Sequence, residues 1–228
     1  MKLLALDTCT ENCSVAVYRH GEVFLAHEIA GQKHSERILN MIDSVLGQAG
    51  LTLSEMDALV FGRGPGSFTG VRIGVAVAQG IAFARTLPVI PISTLAATAQ
   101  QTYLHTNVKN ISVALDARMG EVYHADFVVE NEVVIPLSEE RVCPPEQVTL
   151  ADTRIWTAAG NGWSIYPAQL QQRLQHQLAE IRDSAFPDAA SMLPLAVSQY
   201  QSGNMLSADQ ALPVYLRNNV ARKKAPQT

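Results

Sequence analysis

Lys2-Leu3-Leu4-Ala5-Leu6-Asp7-Thr8-Cys9-Thr10-Glu11 opens the chain, and Ile111-Ser112-Val113-Ala114-Leu115-Asp116-Ala117-Arg118-Met119-Gly120-Glu121 opens its second half. Each begins as a short apolar run without alternation, the mark of a strand buried on both faces. Each run ends in Asp and passes through a short turn into a strand hairpin. After the first, residues 14–18 alternate, His20-Gly21 sits where a hairpin turn belongs, and residues 23–29 return. After the second, residues 121–129 and 133–135 read as the rest of a meander, with Asn131 near the turn. The pairing predicts an internal duplication: an α/β chain of two like-folded lobes facing a cleft.

The stretches between complete the first unit. Ile38, Leu39, Met41, Ile42, Val45, Leu46 and Ala49 recur at helical spacing over 35–49, and Gly50 closes that helix. Residues 58–61 are a strand that leads into a Gly-rich run, and a helix follows to about residue 85. A strand over 88–92 comes next, and Ser93 caps a helix towards residue 103. Beyond Pro144-Pro145 the pattern weakens. A strand at 155–158 and helices at 168–178 and 189–200 are expected, then a basic, flexible tail over 217–228. The division is 1–105 for the first lobe and 106–228 for the second, with 213–228 packing back on the first.

At 228 residues the chain buries roughly 70% or more of its unfolded surface. Hydrophobic residues make up 47% and charged residues 17%, which excludes a disordered, highly charged chain. No apolar run is long enough to cross a membrane, and Asp7 comes too early for the core of a signal peptide. Cys9, Cys13 and Cys143 are an odd set, expected as reduced thiols in a cytoplasmic protein. The net charge, 17 − 21 = −4, argues against a broad basic face gripping nucleic acid.

Gly62-Arg63-Gly64-Pro65-Gly66-Ser67-Phe68-Thr69-Gly70 is the strongest local motif. Such a loop before a helix N-terminus suits phosphate. It lacks the Lys of a Walker loop, and its glycines do not match the dinucleotide pattern. A tight strand-to-helix turn with small residues for packing fits equally well. The helix beyond carries Gly70, Gly74, Ala78 and Ala82 in one i, i+4 row, flanked by Gly80 and Ala84. Mid-helix Gly costs roughly 1 kcal/mol against Ala, so the row predicts close backbone contact, with the chain's own sheet or with a second subunit. Asp7, Thr8 and Thr10 could hold a metal-bound water and phosphate, or satisfy a polar hairpin. Arg118 could meet phosphate, or pair with Glu121 or Asp116. His34 and Arg37 read as a solvated first helical turn, and His20 as a turn residue. No His-Glu-x-x-His or Gly-x-Ser-x-Gly is present.

The run Leu6-Asp7-Thr8-Cys9-Thr10-Glu11-Asn12-Cys13-Ser14-Val15-Ala16, the Gly-rich run continued through Val71-Arg72-Ile73-Gly74, Asp116-Ala117-Arg118-Met119-Gly120-Glu121-Val122-Tyr123 and Pro213-Val214-Tyr215-Leu216-Arg217-Asn218-Asn219 closely resemble the TsaB (YeaZ) family. The resemblance implies two actin-like, ribonuclease H-like lobes. Each would be a mixed sheet with a three-strand meander flanked by helices, the second lobe degenerate. It implies a role in making threonylcarbamoyladenosine next to the anticodon of tRNAs that read codons starting with A. In that pathway TsaD transfers the threonylcarbamoyl group to N6 of the adenosine, and TsaB is its catalytically silent relative and partner. TsaE, a small ATPase, docks on the pair, and TsaB alone forms a homodimer.

Further expectations follow from that resemblance. TsaD carries a His-x-x-x-His metal pair just after the strand ending near Pro91. The matching positions here are Thr94 and Thr98, whose neutral hydroxyls would bind iron or zinc poorly, so no metal is expected. No cofactor is required, with ATP or ADP at the junction with partner subunits. Nucleotide contacts would fall on Asp7, Thr8, Thr10, Gly64, Gly66, Ser67, Asp116 and Arg118. The face for TsaD and for self-pairing would comprise His34, Arg37, Ile38, Met41, Ile42, Val45, Gly70, Val71, Gly74 and Ala78. tRNA would be met only through the complex, and no membrane is involved. A small-molecule kinase or ATPase of the same fold is the alternative, resting on Asp7, the Gly-rich turn and Asp116. Peptidase activity, an older assignment of the family, lacks a nucleophile or ligand set here.

Overall fold

The computed structural model describes residues 1–31, 33–183 and 186–217. The first half runs β1 (Lys2–Asp7), β2 (Asn12–Arg19), β3 (Glu22–Ile29), α1 (His34–Ala49), β4 (Ala58–Gly64), α2 (Phe68–Arg85), β5 (Val89–Ser93) and α3 (Thr94–Thr106). The second runs β6 (Asn110–Asp116), β7 (Val122–Glu130), β8 (Val133–Pro136), β9 (Arg141–Cys143), β10 (Trp156–Ala159), α4 (Gly162–Ile165), β11 (Leu178–Arg182) and α5 (Ala189–Gln201).

The duplication is visible in the topology. The first sheet is ordered β3-β2-β1-β4-β5, and the second β8-β7-β6-β10-β11, with β9 also on β7. In both, the first strand pairs antiparallel with the second and parallel with the strand after the meander, β1 with β4 and β6 with β10. The hairpin turns follow the predicted chemistry: His20 and Gly21 in the first, and Asn131 and Glu132 in the second, have positive φ. Asp7 and Asp116 thus stand at equivalent strand ends. This is the two-lobed, actin-like architecture expected from the sequence.

The helices order the layers. α1 and α2 cover one face of the first sheet over a core that includes Leu4, Leu6, Val15, Leu59 and Phe61. α3 and α5 lie between the two sheets, in a core that draws Leu3, Val60 and Ile90 from one and Val113, Ala125 and Phe127 from the other. α5 packs across β1, β2, β4 and β5 although it comes from the end of the chain. A third cluster around Trp163, Val148 and Leu170 covers the far face of the second sheet.

α3 runs past its expected end. The hydroxyls of Thr98, Thr102 and Thr106 each donate to the carbonyl four residues back, at 2.6–2.8 Å, and Asn107 closes the helix in the left-handed conformation. The helix expected over 168–178 forms as an irregular helical stretch that ends at Gln177. A π turn (Ala168–Gln172) continues through helical residues 173 and 174 into a 3-10 turn (Gln175–Gln177). Leu178, the last residue of that expected helix, instead starts β11, because the second sheet takes its edge strand beside β10 from here. Strand pairing here overrides local periodicity. The basic tail beyond Arg217 lies outside the described residues.

Candidate functional site

The Gly-rich run lies directly on the end of β1. A Cβ on Gly66 would stand 2.1 Å from the Cys9 carbonyl oxygen, one on Gly70 2.1 Å from that of Thr8, and one on Gly62 2.2 Å from Asp7 Oδ1. The Ser67 amide donates to the Cys9 carbonyl at 2.7 Å, and the Thr8 hydroxyl to the Gly70 carbonyl at 2.7 Å. The glycines serve close backbone approach, and the loop spends the Ser67 N–H on its own chain. Three expected nucleotide contacts are corrected by this packing. Asp7 and Thr8 are buried beneath the loop, and Gly64 is covered by Val214 and Val71. Thr10, Gly66, Ser67, Asp116 and Arg118 do line the cleft between the lobes, a space of about 1020 Å³.

Asp7 is 1% exposed. Its Oδ1 accepts from the Cys9 amide at 3.0 Å, and its Oδ2 has no partner among the described residues. Burial pushes its carboxyl up to about 6 from 3.8, against the lowering effect of the Cys9, then Thr8, hydrogen bonds. A carboxyl with a raised folded pKa weakens the fold as pH climbs from the unfolded to the folded value, with the full cost above it. That gap is worth roughly 3 kcal/mol. Asp7→Asn should therefore stabilise the chain by up to about 3 kcal/mol at pH 7.5 and by little at pH 4. Urea denaturation at the two pH values measures this, and equal gains at both would refute it.

The opposite wall is built on Asp116. Its Oδ1 accepts from the Tyr166 hydroxyl and the Arg118 amide, each at 3.0 Å, and Arg118 Nη1 stands 3.2 Å from its Oδ2. The Asp116 amide donates to Asn161 Oδ1 at 2.9 Å. Burial, then the Asp116 contact, raises the Tyr166 phenol, keeping it a hydrogen-bond donor. Arg118 thus pairs with Asp116 while staying largely exposed. Asn161 and Tyr166 were missed in the sequence. The turn Gly160-Asn161-Gly162 after β10 was their signal, since a Cβ on either glycine would crowd the Ala114 carbonyl at 2.6 and 2.8 Å. It is the second lobe's counterpart of the Gly-rich run.

The expected interface residues divide sharply. Ile38, Ile42, Val45, Val71 and Ala78 are buried in the chain's own core. Gly70 and Gly74 face Thr8, the latter with 2.6 Å between its missing Cβ and Thr8 Oγ1. Gly70 and Gly74 therefore pack on the end of β1, and Ala78 and Ala82 are buried in the chain's own core. His34 is also buried rather than solvated, with burial lowering its pKa against a Thr10 backbone hydrogen bond. Arg37 is exposed and pairs with Glu28 at 2.7 Å, and Met41 is half-buried. The surface of α2 is formed by the flanking row instead. Ala76, Gly80 and Ala84 are exposed beside half-buried Ile73 and Val77, Phe83 is 80% exposed, and nothing lies within 4 Å of a Cβ on Gly80.

Comparison with known proteins then decides the family. The family model described as TsaD, tRNA N6-adenosine threonylcarbamoyltransferase, matches residues 26–225. The tRNA threonylcarbamoyladenosine biosynthesis protein TsaB of Haemophilus influenzae is 44% identical, covering 99% of this chain and 98% of its own. TsaB of Escherichia coli is 40% identical over 99% of both chains. The chain belongs to the TsaB (YeaZ) family. The structure of YeaZ from Pseudomonas aeruginosa shares its fold with a TM-score of 0.90 at 41% identity, covering 94% of this chain and 99% of that one. For a TsaB family member, the full-length match means that both lobes and the cleft between them belong to the shared architecture. Among the described residues no helix is long and apolar enough to cross a membrane.

Proposed function

We propose that this chain acts in tRNA threonylcarbamoyladenosine biosynthesis as the non-catalytic partner and activator of TsaD. The observation that carries the reading is the outer face of α2. It sets an exposed mid-helix glycine, Gly80, and the 80% exposed Phe83 in an apolar row with open space above it. A helix gives up roughly 1 kcal/mol to keep Gly at such a position, and close passage of a partner helix offsets that cost. The Ala76-Gly80-Ala84 row would receive TsaD in the working complex and a second copy of this chain in its absence.

Catalytic silence is supported by the residues in the metal positions implied by the TsaD resemblance. Thr94 and Thr98 are buried at the start of α3, and the Thr98 hydroxyl is turned back onto the Thr94 carbonyl at 2.8 Å. Such groups supply no Lewis-acid centre for polarising a carbamoyl carbonyl. Among the described residues no cluster of three His, Cys, Asp or Glu could hold a metal. In this reading TsaE docks on the pair, tRNA is met through the complex, and ATP or ADP is contacted at the junction, where Ser67 and Arg118 remain exposed.

The kinase alternative fits the site poorly, because the carboxyl it needs at Asp7 is sealed under Gly62 and Cys9. Calorimetry of the isolated chain with ATP and ADP should show no tight binding and no turnover. Turnover would favour the kinase reading. The proposal itself is tested by co-expression with TsaD. The two chains should co-purify, and separate elution at micromolar concentrations would refute the partnership.

A further inference from the structure

After α5 the chain bridges to Val89 through Leu206, makes a 3-10 turn (Ala208–Gln210) and then runs from one lobe to the other. The Val214 amide donates to the Arg63 carbonyl at 2.8 Å, on β4. Its carbonyl oxygen lies 3.2 Å from where a Cβ on Gly64 would be, and Gly64 has φ +90, so only glycine lets the segment lie this close. One residue on, the Tyr215 hydroxyl accepts from Arg72 Nε at 2.8 Å. The Arg72 guanidinium sits 3.5 Å from the centre of the Phe68 ring, and the Phe68 and Tyr215 rings are 6.1 Å apart. These contacts fasten residues 214 and 215 to the first lobe.

Arg217 then reaches the second lobe. Its Nε donates to Glu121 Oε2 at 3.0 Å, and Nη2 reaches the same oxygen at 2.5 Å. Nη2 also donates to the carbonyls of Ala117 and Arg118 at 3.1 and 3.2 Å, and Nη1 approaches Met119 Sδ at 3.5 Å. The loop so gripped is strained. Arg118, Met119 and Gly120 have φ of 62, 58 and 77 in succession, and the left-handed conformation is disfavoured for a residue with a Cβ. Its own backbone ties are the Ala117 amide to Glu121 O at 2.9 Å and the Glu121 amide to Arg118 O at 3.2 Å.

We propose that residues 213–217 are a latch across the mouth of the cleft, with Arg217 as its catch. Fastened to β4 and α2 at one end, the latch holds the β6–β7 loop in its left-handed form at the other. It thereby fixes the wall on which Arg118 and Asp116 stand. The lobes themselves stay joined through α3 and α5 and through the Arg63–Glu140 pair at 3.1 Å. Release of the catch therefore frees the cleft wall without separating the lobes. The latch is a property of this chain alone, independent of any partner.

Hydrogen exchange read by mass spectrometry tests it on the full chain. Arg217→Ala should speed exchange over 117–121 at least tenfold while amides of β1 and β4 keep their protection. Arg217→Lys should give a similar pattern, because an ammonium cannot span the Glu121 carboxylate and two carbonyls in the fixed fork of a guanidinium. Exchanging the charges, Glu121→Arg with Arg217→Glu, should leave the loop unprotected too, since glutamate cannot donate to the carbonyls. Trypsin cleavage after Arg118 offers a second readout, slow in the wild type and at least tenfold faster in Arg217→Lys. Unchanged exchange and cleavage in the folded variants would overturn the latch. So would a uniform rise across both sheets, which would make Arg217 an ordinary stability contact.

Discussion

Gly66→Ala is expected to leave little folded protein. The new methyl would stand 2.1 Å from the Cys9 carbonyl oxygen and 2.9 Å from its carbon, both backbone atoms. No side-chain rotation relieves that contact. The Gly-rich run would have to lift off β1, breaking the bonds from Ser67 N to Cys9 O and from Thr8 Oγ1 to Gly70 O. A cost above about 4 kcal/mol is expected, in the range that signals a named structural failure. Gly80→Ala supplies the contrast, with open space around the new methyl and a gain of about 1 kcal/mol in helix propensity. Urea denaturation of both variants checks the pair. A loss below about 1 kcal/mol for Gly66→Ala would contradict the close approach on which the site geometry rests.

Gly80→Glu should keep the fold and lose the partner. The side chain enters solvent in the isolated chain, so stability should change little beyond the helix-propensity gain. Buried without a counter-charge in a helix-to-helix contact, the carboxylate should cost about 3 kcal/mol, roughly a hundredfold in affinity for TsaD. Gly74→Glu should behave in the opposite manner. Its side chain points at Thr8 Oγ1 and Leu6, so it should fail to fold and report nothing on pairing. Thermal unfolding together with a pull-down separates the two. Undiminished capture of TsaD by Gly80→Glu would move the interface away from α2.

Much of the fold is legible in the sequence because the local signals agree with one another. The two strand-Asp-hairpin units, the positive-φ turns at His20-Gly21 and Asn131, and the Ser93 cap all act over a few residues, and each appears in the structure. Legibility fails where tertiary contacts decide. The leucines at 170, 174 and 178 fit a helix, yet the sheet recruits Leu178. The row Gly70-Gly74-Ala78-Ala82 predicts close contact correctly, but spacing alone could not say with what. That row is buried against the chain's own first sheet, and its flanking row faces outward. Arg217, expected at the start of a flexible basic tail, is instead held by Glu121 and the carbonyls of Ala117 and Arg118, partners about a hundred residues away that only the folded chain brings to it.

The proposed role makes a defined claim about chemistry: a chain that transfers nothing itself and lets TsaD do so. The most direct test reconstitutes threonylcarbamoyl transfer to tRNA from purified TsaD and TsaE, with threonylcarbamoyl-adenylate supplied, with and without this chain. The account predicts modified tRNA only when TsaD and this chain are both present, and none from this chain alone. Transfer by this chain without TsaD would contradict it, as would an equal rate from TsaD and TsaE without this chain.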